Sequence, residues 1–148
     1  MVALTANGGG GHGGAQKGGS YESGGGGGGS GGMIILEAPH VIGPEARVAA
    51  NGGGGEGSDD QHIGSDGQAG LPSSSRAAGG TDSAPYGTEG GRGGSLEMPV
   101  GEAVTALLAG AGDGGGGGVG FVRIVSPDTQ LETVSPAADG NLTFTAPL

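Results

Sequence analysis

The sequence predicts an all-β protein in which short strands form a solenoid-like repeat, joined by long glycine-rich excursions, with little or no α-helix. Two observations lead to this prediction. Short apolar segments follow glycine runs directly, as at 24–36, where GGGGGGSGG precedes MIIL. The sequence ANGGGG also occurs twice, at 6–11 and 50–55, which are 44 positions apart. Self-similarity at a fixed spacing is typical of repeat architectures.

A second match extends the same spacing. The segment GMIIL at 32–36 matches GFVRI at 120–124, 88 positions later, and Pro39 or Pro127 follows each copy at the same distance. A proline ends a strand or confines it to a sheet edge. The predicted unit is therefore a glycine run, a strand, a proline-marked bend and a second strand.

The strands are predicted from short apolar runs bounded by Gly, Pro, Asn and Ser. These strand segments lie near 2–6, 33–50, 95–109 and 121–145. A turn is expected over 43–46, where the sequence is GPEA. The residues 101–109 include good helix formers, but a segment this short is not a stable helix in water by itself. Its match to the repeat favours a strand.

The glycine-rich excursions cover 8–32, 52–94 and 110–120, within a single domain over 1–148. Two interpretations stay open for them. They are flexible linkers, or they adopt the left-handed polyproline-type helix of three residues per turn, called polyglycine II for glycine. In the second case their backbone groups point sideways and can bond between neighbouring runs. Since large apolar side chains are few, an ordered chain needs such bonds, bound ions or neighbouring copies.

The charge balance limits the classes of partner. The formal net charge is −10, and the five basic residues are scattered along the chain. This pattern argues against nucleic acid and anionic membranes as partners. No apolar stretch is long enough to span a bilayer. Cysteine is absent, which excludes a disulfide framework and thiolate metal sites.

The junction motifs resemble a known group of proteins. GGGGGGSGGMIILEAP at 24–39, RVAANGGGG at 47–55 and DGGGGGVGFVRIV at 113–125 are similar to glycine-rich repeats of large secreted proteins of myxobacteria and related bacteria. The resemblance implies a β-solenoid or surface protein that is extracellular or at the cell surface. A weaker likeness is to polyglycine II folds such as glycine-rich phage adhesin tips. No signal peptide is recognisable in MVALTAN, and we expect a segment of a longer protein.

One acidic stretch is a candidate calcium site. GGEGSDDQ at 54–61 fits the GGxGxD start of a calcium-binding nonapeptide, with Gln61 at the position that should be apolar. Carboxylate and carbonyl oxygens are the ligands that calcium prefers. Asp59, Asp60 and Asp66 are the predicted ligands, and the alternative is a solvated acidic loop. No other cofactor is expected.

No catalytic constellation is predicted, and we expect no enzyme. GGSGG at 28–32 matches G-x-S-x-G, but a nucleophile elbow needs a strand before it and a helix after it. His12, His40 and His62 lack a second ligand at helical metal spacing and are expected to be surface residues.

The function expected from the sequence is that of a structural protein. We expect a non-catalytic extracellular chain that self-associates into a filament or surface layer through strand edges and glycine-rich segments, since open edges invite pairing. The alternative is an adhesin-like module that binds a glycan or another surface through the variable excursion 52–94.

Overall fold

Five strands form the regular part of the molecule. The computed structural model describes residues 2–13, 24–57, 64–81, 89–104 and 113–135. The strands are β1 (Val2–Thr5), β2 (Met33–Glu37), β3 (His40–Ala49), β4 (Phe121–Val125) and β5 (Asp128–Ser135). These ranges contain no helix, so the all-β class is confirmed for the described part of the chain.

The strands form two small parallel sheets. Sheet 1 has the order β1-β3-β5, and sheet 2 consists of β2 and β4. The corners Ala38-Pro39 and Ser126-Pro127 carry the chain from sheet 2 to sheet 1. Parallel neighbours cannot be joined by a tight turn and need a long connection. The glycine-rich excursions supply these connections.

Strand pairing follows the spacings of the sequence matches. Val2 pairs with Ala46 in sheet 1, and Met33 pairs with Phe121 in sheet 2. These spacings equal the 44 positions between Asn7 and Asn51 and twice that number. The described residues do not include a closed solenoid turn, so the solenoid remains a prediction. The turn expected over 43–46 is wrong: β3 continues through it, with a register shift between Gly43 and Arg47.

The two sheets enclose the apolar core. Side chains alternate along a strand, so β2 and β4 turn Ile34, Val122 and Ile124 inward, where they pack with Val48 and Ala50. Val122 and Ile124 have no exposed surface. The core lies next to the ends of the glycine runs, because Ala50 begins one of them.

The glycine-rich excursions form a bundle of extended runs bonded to one another through the backbone. We number the runs 1 to 8 in chain order: 6–13, 24–32, 50–57, 64–70, 76–81, 89–95, 98–104 and 113–120. Bonds in one direction recur every third residue, as Gly8 and Gly11 of run 1 donate to Asn51 and Gly54 of run 3 at 2.8 Å. These parts of the excursions are therefore bonded runs and not free linkers.

Run 3 is the centre of this bundle. Among the described residues, hydrogen bonds join it to runs 1, 2, 4, 5, 6 and 8. These six runs are also bonded in a closed ring, in the order 1, 2, 8, 6, 5, 4, while run 7 bonds to runs 6 and 8 outside the ring. Successive runs point in opposite directions, because their bonded residue numbers rise in one run and fall in the next.

The close approach of the runs explains why glycine is needed in the bundle. A Cβ added to Gly53 would lie 2.0 Å from the Gly9 carbonyl oxygen, and one on Gly28 would lie 2.2 Å from that of Gly53. Neither Gly28 nor Gly53 has a φ in the left-handed region. Glycine is needed at these two positions because it lacks a side chain, and not because of an unusual backbone angle.

One predicted strand segment has a different structure. The described part of 95–109, which is 95–104, contains no strand and no helix. Its backbone forms run 7, where Pro99 O accepts from Val119 N and Glu102 N donates to Arg92 O, both at 2.9 Å. Pro99 lacks a ladder donor, which disfavours a sheet here. The rest of that segment, and 136–145 of the last predicted segment, lie outside the described residues.

Candidate functional site

The most distinctive surface is the outer face of sheet 2, formed by Met33, Ile35 and Glu37 of β2 with Phe121, Arg123 and Val125 of β4. Met33 is 66% exposed and Ile35 is 51% exposed, although each alternates with a core residue. Large apolar side chains that form a patch on a surface mark contact sites more often than isolated ones do. In sequence the run MIIL is continuously apolar, so it could not show which face would be exposed.

Two opposite charges share this face. Glu37 lies at one end of β2, and Arg123 lies beside Ile35 in the register of the sheet. Both are exposed. Among the described residues, neither takes part in an ion pair. As far as the described ranges show, the face therefore carries a carboxylate and a guanidinium without ion-pair partners, close to exposed apolar side chains.

A cleft lies at the end of this face, where the two proline corners meet. It has a volume of about 290 Å³ and is lined by Glu37, Ala38, Pro39, Val125 and Pro127. The buried Ser126 ties the corners together, because its Oγ lies 2.7 Å from Asp128 O and 3.2 Å from Pro39 O. Apart from Glu37, the lining is apolar.

The sheets also leave strand edges open. Within the described ranges, β1 is bonded to β3 alone, and β2 is bonded to β4 alone. Val2 is 72% exposed and Leu4 is 46% exposed on β1. An edge strand presents free N–H and C=O groups to which another chain can bond.

The predicted calcium ligands are only partly described. Asp59 and Asp60 lie outside the described residues. Asp66 is on run 4, where its Oδ1 accepts from Gly13 N at 2.8 Å and its Oδ2 lies 3.2 Å from His12 Nδ1. The Gly13 N–H, and next the contact with His12, hold the pKa of the Asp66 carboxyl below its ordinary value of 3.8. Asp66 thus links runs 1 and 4.

The described histidines contact carboxylates singly. Besides His12, His40 Nδ1 lies 3.2 Å from Asp128 Oδ2, and both pairs are exposed. No group of three or more His, Asp or Glu residues that could hold a metal ion occurs in the ranges that the structure describes. His62 lies outside those ranges. Calcium at Asp59, Asp60 and Asp66 therefore stays a prediction.

Polar side chains inside the bundle were not predicted. Asn51 is fully buried in run 3, and its Nδ2 donates to Leu71 O at 2.7 Å and to Ser73 O at 2.6 Å. The backbone N–H of Asn51 donates to Asn7 Oδ1 at 2.9 Å. Glu56 is 1% exposed, and its Oε2 accepts from Gly26 N at 2.9 Å. The repeated ANGGGG motif was the sequence signal for the Asn7–Asn51 contact.

A second, polar groove lies between runs 6 and 7. Its volume is about 220 Å³, and its charged lining residues are Glu89, Arg92 and Glu102. Nearby, Arg76 Nε donates to Gly93 O at 2.8 Å, and Arg76 Nη1 lies 3.7 Å from Glu102 Oε2. These contacts connect runs 5, 6 and 7. Glu102, one of the charged residues of the groove, therefore has a structural role at the surface of the bundle.

No helix in the described part of the chain is long and apolar enough to cross a membrane. Comparison with protein-family models, with curated proteins and with solved structures finds no match for this chain.

Proposed function

We propose that this chain is a non-catalytic extracellular structural protein that self-assembles into a filament or surface layer through its strand edges and glycine-rich segments. The observation that carries the proposal is the pair of small parallel sheets whose edge strands, β1 in sheet 1 and β2 in sheet 2, each have one bonded neighbour in the described part of the chain. When an edge of one copy pairs with a different edge of the next, the contact does not close, and it generates a filament.

The glycine bundle supports a structural role. The three-residue spacing of its bonds is the period of the polyglycine II helix, and a central run with six bonded neighbours fits hexagonal packing of such helices. In this interpretation the bundle is a rigid spacer, because every run is held by backbone bonds on several sides. The stacked proline corners in turn support a solenoid-like repeat of strand pairs, to which further copies can add.

The extracellular assignment rests on the resemblance of the junction motifs to repeats of secreted bacterial proteins. The acidic composition fits the same proposal, since a net charge of −10 keeps unassembled chains apart. Assembly then depends on local surfaces that are uncharged or complementary. The non-catalytic part of the proposal rests on the sequence, which predicts no nucleophile or acid–base pair.

Light scattering coupled to size-exclusion chromatography, with negative-stain microscopy, tests the proposal. The mass of the wild-type particle should rise with concentration, and elongated or sheet-like particles should be visible. Leu4→Lys places a charge on the open edge at β1 and should raise the concentration needed for assembly by about tenfold. Val100→Lys, at a 77% exposed position on run 7, is the matched control and should leave assembly unchanged. A wild-type chain that stays monomeric at every concentration contradicts the proposal.

The second candidate function is an adhesin-like module that binds a glycan or another surface through 52–94. It is favoured by the alternating direction of runs 3 to 6. Because successive runs are antiparallel, residues 57, 64, 81 and 89 lie at the end of the bundle away from the sheets. The connections between these residues therefore begin and end on one side. A glycan array probed with the whole chain tests this candidate, and a complete lack of binding would count against it.

A further inference from the structure

We infer that the outer face of sheet 2 is a self-complementary contact surface and that its occupant is the same face of a second copy. The inference rests on the proposed self-assembly and names a surface for it that is separate from the strand edges. The face combines exposed Met33 and Ile35 with Glu37 and Arg123, which have no ion-pair partner among the described residues.

The charges favour a second copy over an unrelated partner. A chain with a net charge of −10 repels its copies over most approaches. The face itself carries one negative and one positive group, so two such faces can compensate each other. A two-fold interface requires a self-complementary patch of this kind, because the same patch of both copies takes part and every contact between two different residues occurs twice.

The register of sheet 2 specifies the pairing. A two-fold axis parallel to the strands places β2 of one copy over β4 of the other. Since Met33 pairs with Phe121 and Ile35 with Arg123 within the sheet, Met33 then faces Phe121 of the second copy. Glu37 faces Val125 of the second copy, and Arg123 of the second copy is the next outward-facing residue along that strand. A thioether against an aromatic ring and an aliphatic side chain against an arginine stem are both favourable contacts.

The same axis brings glycine runs together. Run 2 leads directly into β2 and run 8 into β4. Residues 24–32 and 114–120 contain no charged side chain. Among the described residues, neither Gly27 N nor Ser30 N has a backbone acceptor. Runs of this composition approach each other closely within the molecule, and Asp113 at the start of run 8 is the one charged residue of the two runs.

The area of contact shows why the runs are needed. Two strands of five residues cover on the order of 150–200 Å², whereas a stable interface buries about 800 Å² on each partner. The face of sheet 2 alone is therefore too small. At about 3.1 Å per residue, runs 2 and 8 extend the contact by roughly 25 Å. At the same width the footprint then reaches about 400 Å² on each copy, which is the size of a weak, concentration-dependent contact.

A charge-reversal cycle tests the inference by sedimentation velocity over a dilution series of the whole chain. Glu37→Arg and Arg123→Glu should each weaken self-association at least tenfold, and the double variant should restore the dissociation constant to within about threefold of wild type. Glu37→Arg is the sharper single variant, because it reduces the net negative charge and would strengthen association if general repulsion were in control. Circular dichroism confirms that each variant is folded.

An apolar pair of variants completes the design. Met33→Ser should weaken association about tenfold, while Ile42→Ser, at a 59% exposed position on β3 of sheet 1, should not change it. If the wild type associates and the single charge reversals leave association unchanged, the inference is overturned and the proposed assembly stands. A double variant as weak as the single ones also overturns it. If the wild type never associates, both fail.

Discussion

The glycine bundle and the two sheets are held together by opposite means. In the bundle, the contacts between runs are chiefly backbone hydrogen bonds, and Gly53 N donates to Gly29 O at 2.9 Å with no side chain between the runs. In the sheets, side chains fill the space between the layers, and Ile124 and Val122 are fully buried. The same chain thus uses the absence of side chains in one region and their volume in the other.

This difference reverses the meaning of alanine. At the centre of the bundle, one methyl group is more than the space allows, because neighbouring carbonyl oxygens occupy the position of the Cβ. In the core between the sheets, alanine is too small and leaves a cavity. Substitutions to alanine in each region therefore test whether the two parts are stabilised as described.

The largest effect is expected in the bundle. Gly53→Ala places a Cβ 2.0 Å from Gly9 O, and backbone must move to accommodate it. We expect the free energy of unfolding to fall by at least about 3 kcal/mol. Urea denaturation followed by circular dichroism measures the change.

The control for this variant lies on the other side of the same contact. A Cβ on Gly9 meets nothing within 4 Å. Gly9→Ala should therefore be neutral or stabilise the fold by about 0.4–1 kcal/mol, because it reduces the freedom of the unfolded chain. Equal effects of the two substitutions would contradict the close packing of runs 1 and 3.

A loss of comparable or smaller size is expected in the core. Ile124→Ala removes a fully buried side chain and should cost about 2–5 kcal/mol. Ile35→Ala, at a 51% exposed position on the neighbouring strand of the same sheet, should cost less than about 1 kcal/mol. Thermal unfolding of dilute protein separates the two. A cost at Ile35 as large as that at Ile124 would mean that the outer face of sheet 2 is covered in the folded chain.

The strands show how far the sequence could be interpreted. The MIIL and FVRI segments predicted β2 and β4, and their matching positions are neighbours in sheet 2. The register could be anticipated because both segments leave a glycine run and approach a proline. The outward orientation of Met33 and Ile35 could not, since every position of MIIL is apolar and periodicity is lost.

The bundle was harder to predict, because glycine carries no pattern. Which run pairs with which is decided by backbone groups that every residue possesses, so run 3 looks no more central in sequence than run 8. The segment around Pro99 was expected to be a strand and is run 7. Contacts such as that of Asp66 with Gly13 depend on which runs are neighbours, so the sequence could not predict them either.

The smallest expected effect concerns a side chain that connects two runs of the bundle. The pKa of Asp66 is lowered by Gly13 N–H and by His12, so the unfolded chain binds the proton more readily than the folded one. The carboxylate therefore stabilises the fold above its ordinary pKa of 3.8, and this contribution is lost as the pH falls through the lowered value. Between about pH 6 and about pH 2.5, the melting temperature of the wild type should fall slightly more than that of Asp66→Asn. Glu97→Gln removes one negative charge at another exposed position and should retain the wild-type difference. An identical pH dependence of wild type and Asp66→Asn would mean that the Asp66 carboxylate adds nothing to the other bonds between runs 1 and 4, such as that from Asn7 Nδ2 to Gly70 O.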